Sequence, residues 1–493
     1  MARRTISLHS AYANAPHGWT LSSAQERGDQ VGTIQRRPAT PSSRPTVKRT
    51  KTEEETSSPR DYLFLPDEIL LQIIDHLRTD KWTDGYAKAR KQCDLNAFSR
   101  VNRQWNSIAT SFLYDSPYLE GPNYDLFTRT LCPSINLNIR KSPLSSFVKE
   151  LDLSLLVHQG SKSTTARLLG RTKGSLTSFL APQASFSLNC FPALSKCQHL
   201  EKLDLTLVSE ASSLKTLFDT VSNLQALKEL HLPRSSGFVA TIDPATITWP
   251  VKLAILGLSG GLNTRFWCGT FHFPASLDEI SITHCPKFDD FCLSAFLETL
   301  MHHDECHFFR MEFAHLPLLR EDSLNLVLQA LPSLHSLSVS VDYVTPEVLN
   351  PPGVKADGEA REYLNEGDEY YSGSEHDRRE ELDASSVVAD RTIKARRRKK
   401  KKKCRSFLKL ETLELTDSGE RDNTEKIEAL DVLMYADDFG MVPKLRDVIV
   451  ARSLGWRNED VSDDADALHD WLVDNGESMG ITDHDLLGLK VVW

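Results

Sequence analysis

The chain has 493 residues, 40% of them hydrophobic and 26% charged, with a formal net charge of −10, a composition that fits about two to four globular domains. No run of about 18 apolar residues is present to span a membrane, and the first residues carry no hydrophobic signal core, which argues against secretion. Nine scattered cysteines without a Cys-x-x-Cys pair fit a reducing compartment, with Cys190, Cys268 and Cys292 read as core fillers.

Residues 1–60 are rich in Ser, Thr, Pro and Arg and lack apolar periodicity, so a disordered basic tail is expected. Its first 52 residues hold nine Lys/Arg and two acids, a balance similar to a mitochondrial transit peptide. Pro16, Pro38, Pro41 and Pro45 would break any long amphipathic helix there, which favours the tail.

Residues 61–119 form the first expected helical module. LPDEILLQIIDHL opens with Pro66 at a helix start and with Asp67 and Glu68 in the first turn, where carboxylates suit the positive helix end. Ile69, Leu70, Ile73, Ile74 and Leu77 then recur at three- and four-residue steps as one broad apolar face. LNAFSRVNRQWNSIA repeats the pattern with Leu95, Phe98, Val101, Trp105 and Ile108 on an expected second helix. Two such short helices cannot bury both faces against each other and need a partner surface.

These residues resemble an F-box. The Leu-Pro-x-Glu-Ile-Leu start stands at Leu65, Pro66, Glu68, Ile69 and Leu70, and the second-helix pattern at Leu95, Val101 and Trp105. The resemblance implies a three-helix hook that docks on the adaptor subunit of an SCF-type cullin ubiquitin ligase. It assigns adaptor contact and module packing to Leu65, Pro66, Glu68, Ile69, Leu70, Ile73, Leu77, Leu95, Val101 and Trp105. One departure is the polar segment 78–94, longer than the family's usual connection and expected to be a loop extension. Loop closure grows only slowly with length, so the extension is tolerable.

From residue 120 a short pattern returns: a leucine-rich lead, a polar residue, then two alternating aliphatic residues. It places strands at Leu151/Leu153, Leu203/Leu205, Leu230/Leu232, Leu256/Leu258, Ile280/Ile282, Leu337/Val339, Leu413/Leu415 and Val448/Val450. The central steps of 27, 26 and 24 residues fall within the leucine-rich-repeat period of about 20–29 residues. A further strand is expected around Met311 and Phe313, and the 52 residues from Leu151 to Leu203 hold two periods or one long one. Segments such as SLKTLFDTVSNL and DSLNLVLQAL read as helices, so each unit is strand, loop and helix. The expected fold is an α/β solenoid of irregular leucine-rich repeats over 120–341, similar to the repeats of fungal-type F-box proteins. A doubly wound α/β domain is the competing architecture.

Residues 342–405 are expected to form a disordered insertion, with eleven Asp/Glu between Asp357 and Asp383 and then eight consecutive cations. Those cations, Arg396, Arg397, Arg398, Lys399, Lys400, Lys401, Lys402 and Lys403, read as a nuclear-localisation segment. No aromatic side chains interleave them, so nucleic-acid contact is disfavoured. Residues 406–493 read as the last repeats and a cap, with a polar, acidic terminal helix at ADALHDWLVDNG.

Three further motifs carry candidate chemistry. Gly257-Leu258-Ser259-Gly260-Gly261 matches a nucleophile elbow, but 262–274 does not read as the helix that motif needs. His302, His303, Cys306 and His307 could contribute to a zinc site, with only His284 and Cys285 as remote candidates. Tyr370, Tyr371, Ser372 and Ser374 lie in acidic surroundings that suit acidophilic kinases. There is no Walker loop, no G-x-G-x-x-G and no H-E-x-x-H.

The expected function is therefore a non-catalytic substrate-recognition subunit of an SCF-type ligase, without cofactor or metal and located in nucleus and/or cytoplasm. The adaptor and, through it, a cullin are the implied partners, with an unknown target protein on the repeats. The alternative is a leucine-rich-repeat scaffold in a nuclear assembly that takes no part in ubiquitin transfer.

Overall fold

Alternation of apolar and polar residues in short segments puts one in-register column of side chains on the inner face of a sheet: Leu203, Leu230, Leu256, Ile280, Met311 and Leu337 are all essentially inaccessible. The computed structural model describes residues 65–78, 85–133, 142–157, 160–209, 213–234, 242–301, 308–350, 408–421, 426–456, 462–481 and 487–492. They belong to one unit that begins at Leu65.

Among the described residues eleven strands form a single sheet in strict chain order, every adjacent pair parallel. They are β1 (Glu150–Asp152), β2 (Ser178–Leu180), β3 (Lys202–Asp204), β4 (Glu229–His231), β5 (Ile255–Ser259) and β6 (Glu279–Thr283). β7 (Arg310–Ala314), β8 (Ser336–Ser340), β9 (Thr412–Thr416), β10 (Asp447–Ala451) and β11 (Gly488–Val492) complete it. Sequential order without a reversal is compatible with a solenoid, whereas a doubly wound domain reverses strand order at its switch point.

Helices connect the strands and bury their apolar faces in the same core: α5 (Lys162–Thr172), α6 (Phe191–Leu194), α7 (Leu214–Val221), α8 (Thr264–Trp267), α9 (Asp290–Met301) and α10 (Leu326–Ala330). Aromatic rings link successive units. Trp249 lies 5.4 Å from Phe218 and 5.8 Å from Phe273, and Trp267 lies 4.5 Å from Phe288 and 5.6 Å from Phe296.

Ahead of the sheet stand α1 (Asp67–Arg78), α2 (Gly85–Ser99) and α3 (Arg103–Asp115), which share a small separate core of Leu70, Ile74, Leu95, Phe98 and Ala109. α4 (Pro122–Leu131) already belongs to the main core through Tyr124, Phe127 and Leu131.

The structure corrects several expectations. Residues 85–94, expected to be loop, are the first ten residues of α2. Ala87, Lys88, Ala89, Arg90, Lys91 and Gln92 are strong helix formers, and Ala87, Ala89 and Gln92 are half-buried, so the segment is helical without an apolar stripe. The expected single helix through Leu95, Val101 and Trp105 is two helices. Asn102 is extended (φ −158°, ψ −178°) and accepts the Trp105 N–H at 3.0 Å, starting α3 afresh.

The 52 residues after Leu151 hold two units, with β2 between them. The insertion starts later than 342: Asp342–Asn350 is folded, with Asp342, Tyr343, Val348 and Leu349 buried. Tyr343 OH donates to Glu420 Oε2, and Ser340 Oγ accepts from Ser418 N at 3.0 Å, so the two sides of the interruption are tied together. β8 and β9 pair directly across it. At the other end, α11 (Ala429–Leu433) and α12 (Ser462–Ser478) pack on the core, but α12 is not the terminal element, because β11 follows and pairs with β10. Cys190 and Cys292 are buried, whereas Cys268 is exposed and is not a core filler.

Candidate functional site

Two surfaces have features beyond packing: the helical module at one end and the open face of the sheet. α1 begins where Pro66 contributes its carbonyl, which accepts the Ile69 and Leu70 N–H groups at 3.1 and 3.2 Å. Proline at a helix start sacrifices no intrahelical bond. Gln104 Nε2 donates to Leu65 O at 2.8 Å and to Asp67 Oδ1 at 2.6 Å, fixing the start of α1 to the start of α3. Phe98 and Trp105 pack with ring centroids 4.4 Å apart across the α2–α3 turn.

The resemblance-derived residues divide into three groups. Leu70 and Leu95 are core, and Leu65, Ile73, Leu77 and Trp105 are half-buried against it. Pro66, Glu68, Ile69 and Val101 face solvent, Ile69 at 40% and Val101 at 58% exposure. Leu71 is exposed as well. Leu71 stands three residues before Ile74, so periodicity alone does not set it apart from the stripe. Ile69, Leu71 and Val101 are thus exposed apolar side chains on a module of about fifty residues.

The module is fastened to the sheet. Asp115 O accepts the Lys149 N–H at 2.9 Å, Ser116 Oγ donates to Glu150 Oε2 at 2.7 Å, and Lys88 Nζ lies 3.6 Å from Asp152 Oδ2. Tyr118 N donates to Gln92 Oε1 at 3.2 Å, so the α2 extension itself takes part in the junction.

On the open face, the first and third residues of the strands point outward. β1–β4 present Glu150, Asp152, Asp204 and Glu229 there, and β6–β10 present Glu279, Glu312, Glu414 and Asp447. Against these eight acids stand three bases, each already paired: Lys202–Glu229 at 2.6 Å, Arg310–Glu414 at 2.9 Å and Lys490–Asp447 at 2.8 Å. The His231 ring lies over Gly257, where a Cβ would stand 2.3 Å from Nδ1, and its Nε2 meets Glu229 Oε1 at 2.9 Å.

The bond to His231, followed by that to Lys202, outweighs burial and holds the Glu229 carboxyl down at about 2. A carboxylate depressed in the folded state stabilises it above the unfolded value of about 4.3, and that stabilisation is lost as pH falls towards 2. His231→Ala is expected to return Glu229 towards the ordinary carboxylate range, read by carboxyl-carbon NMR titration. An unchanged midpoint would show that His231 is not the cause.

The other candidate motifs resolve as structure. Ser259 is buried, and its hydroxyl donates to the Leu232 carbonyl, so it is not presented as a nucleophile. The segment after it does contain one helical turn, α8, contrary to expectation. The Cys285 thiol is buried, which pushes its pKa well up, and it faces the Leu258 and Thr283 carbonyls. Burial, then Arg234 and His315, lower His284 to about 4. His302, His303, Cys306, His307, the run Arg396–Lys403, and Tyr370, Tyr371, Ser372 and Ser374 lie outside the described residues. Among the described residues no group of three His, Cys, Asp or Glu side chains is placed to hold a metal ion, and no helix is long and apolar enough to cross a membrane.

The described residues thus form a helical module with exposed apolar side chains, bonded to a long parallel sheet whose open face is acidic. Among known proteins the chain is similar to one that carries the F-box name. The chain is 32% identical over 292 residues to "F-box protein YDR306C" of Saccharomyces cerevisiae, an alignment covering 57% of this chain and 58% of that one. It is 29% identical over 283 residues to "Protein pof5" of Schizosaccharomyces pombe, covering 57% of this chain and 74% of the relative. The chain thus spans little more than half the length of the first relative. No family model matches it.

Proposed function

We propose that this chain is a substrate-recognition subunit of an SCF-type cullin ubiquitin ligase. In this reading α1–α3 are the F-box, the parallel sheet is a leucine-rich-repeat solenoid, and the sheet's open face takes the target protein. The observation that carries it is the module at the start of the sheet, which has a core of its own and exposes Ile69, Leu71 and Val101. The role is that of a scaffold that raises the local concentration of target beside the catalytic subunits. Bonds from Asp115, Ser116 and Lys88 to the first strand would hold the two binding ends at a fixed separation. The run Arg396–Lys403 is proposed as the nuclear-localisation segment of such a receptor.

Co-purification with the SCF adaptor tests the reading. The wild type is expected to retain the adaptor, and Leu65→Ala/Pro66→Ala to lose it while the far-UV circular dichroism of the sheet and helices is kept. A wild type that never retains the adaptor sinks the ligase reading and leaves a scaffold outside ubiquitin transfer.

A further inference from the structure

The exposed apolar side chains of the helical module stand on two separate helix starts. Pro66 and Ile69 belong to the first turn of α1, with Leu71 just beyond it, whereas Val101 lies in the turn between α2 and α3. A surface made from both keeps its shape only if the two starts keep their spacing. The start of α1 is weakly held by its own packing. Of residues 66–71 only Leu70 is buried, in the small core of the module. Leading N–H groups of a helix lack intrahelical partners, and helix ends open first. The Pro66 carbonyl accepts from Ile69 and Leu70, but Pro66 has no N–H with which to tie the turn to anything before it.

Gln104 supplies a fastening from α3. Its side-chain amide carries two hydrogens. It donates to Leu65 O at 2.8 Å and to Asp67 Oδ1 at 2.6 Å, and so clasps the chain on both sides of Pro66. The bond to a carboxylate is the stronger kind. Gln104 is half-buried and stands on a firm base. Asn102 caps α3 by accepting the Trp105 N–H at 3.0 Å, and the Trp105 ring packs on Phe98 at 4.4 Å. Asn106 Nδ2 donates to Ser99 O at 3.1 Å across the turn that carries Val101. One amide therefore joins a well-anchored α3 start to a loosely packed α1 start.

We propose that Gln104 is a positioning residue for the adaptor-contact surface. By holding Leu65 and Asp67 it keeps Pro66, Ile69 and Leu71 at a fixed place relative to Val101. The inference deepens the receptor reading above and rests on it for the identity of the partner. A merely structural role would act on the whole module, whereas a positioning role acts on the first turn of α1 and on binding.

Calorimetric titration of the full chain with the purified SCF adaptor tests the role. Gln104→Glu keeps the side chain's size but turns an acceptor towards Leu65 O and the Asp67 carboxylate, and is expected to weaken binding by about tenfold. Adding Asp67→Asn restores a donor–acceptor pair with its polarity reversed, and is expected to return affinity to within about threefold of wild type. Adding Asp94→Asn instead, at an exposed position of α2, restores the net charge without the bond and is expected to rescue nothing. In the free Gln104→Glu chain, hydrogen exchange is expected to speed up at the Ile69 and Leu70 amides while α2 and α3 keep their protection. Undiminished affinity in Gln104→Glu overturns the positioning role and leaves the ligase reading standing. Equal rescue by Asp67→Asn and Asp94→Asn overturns it as well, since charge alone would then govern binding. Loss of protection throughout α1–α3 would make Gln104 a structural member of the module. A wild type without adaptor affinity defeats the ligase reading itself, and the positioning role with it.

Discussion

Trp267→Ala is expected to remove about 4 kcal/mol of stability and to lower the melting temperature by on the order of 10 °C. The indole is fully buried between successive units, edge-on to Phe266 at 5.4 Å and packed on Phe288 and Phe296 at 4.5 and 5.6 Å. Alanine leaves a void that rigid aromatic neighbours on two units cannot both collapse to fill, which puts the loss in the upper part of the range for large-to-small substitutions. Whole-domain stabilities are about 5–15 kcal/mol, so the variant would retain little margin. Trp267 Nε1 is itself buried without a hydrogen-bond partner among the described residues. Trp267→Phe therefore removes an unsatisfied donor along with part of the packing and is expected to cost much less, about 1 kcal/mol. Urea denaturation of both variants checks the pair. Equal losses would show that the ring's volume is not what holds the units together.

The position of that seam was readable in outline only. Strands with two inward aliphatic residues, such as Leu256/Leu258 and Ile280/Ile282, announce themselves because alternation over five residues matches the pleat. The strand at Met311 and Phe313 was also expected from period alone. β2 escaped because Ser178–Leu180 offers a single buried side chain, Phe179, and one point carries no period. β11 escaped because the acidic helix before it read as an ending, and because Gly488–Val492 is buried at its first two residues without alternating beyond them. Near the module, Asn102 was hidden by the apolar stripe that runs through it. A cap is a local signal, and reading for periodicity averages over it.

The acidic centre of the open face was not visible at all in the sequence. Glu279, Arg310, Glu312 and Glu414 span 136 positions of the chain, and only strand register brings them together. Arg310 and Glu414 are 104 residues apart and on strands separated by β8. A parallel sheet in strict chain order makes such encounters routine, because side chains on successive strands become lateral neighbours whatever lies in the connections.

The sharpest separation of fold from docking lies within α1, where sequence could not divide core from contact. Leu70→Ala is expected to remove about 3 kcal/mol from the small core that it shares with Ile74, Leu95, Phe98 and Ala109. A module of this size buries too little surface to absorb that loss. It should open while the sheet, whose core is separate, stays folded. Ile69→Asp, one residue earlier and 40% exposed, should change stability by no more than about 0.5 kcal/mol. On the proposed ligase reading both variants lose the SCF adaptor in co-purification, for different reasons. Hydrogen exchange distinguishes them: amides of α1–α3 lose protection in Leu70→Ala and keep it in Ile69→Asp, and those of β3–β9 keep it in both. An Ile69→Asp protein that still retains the adaptor would place the contact elsewhere on the module. Loss of protection throughout the sheet in Leu70→Ala would mean that the bonds of Asp115, Ser116 and Lys88 to the first strand couple the two cores into one cooperative unit.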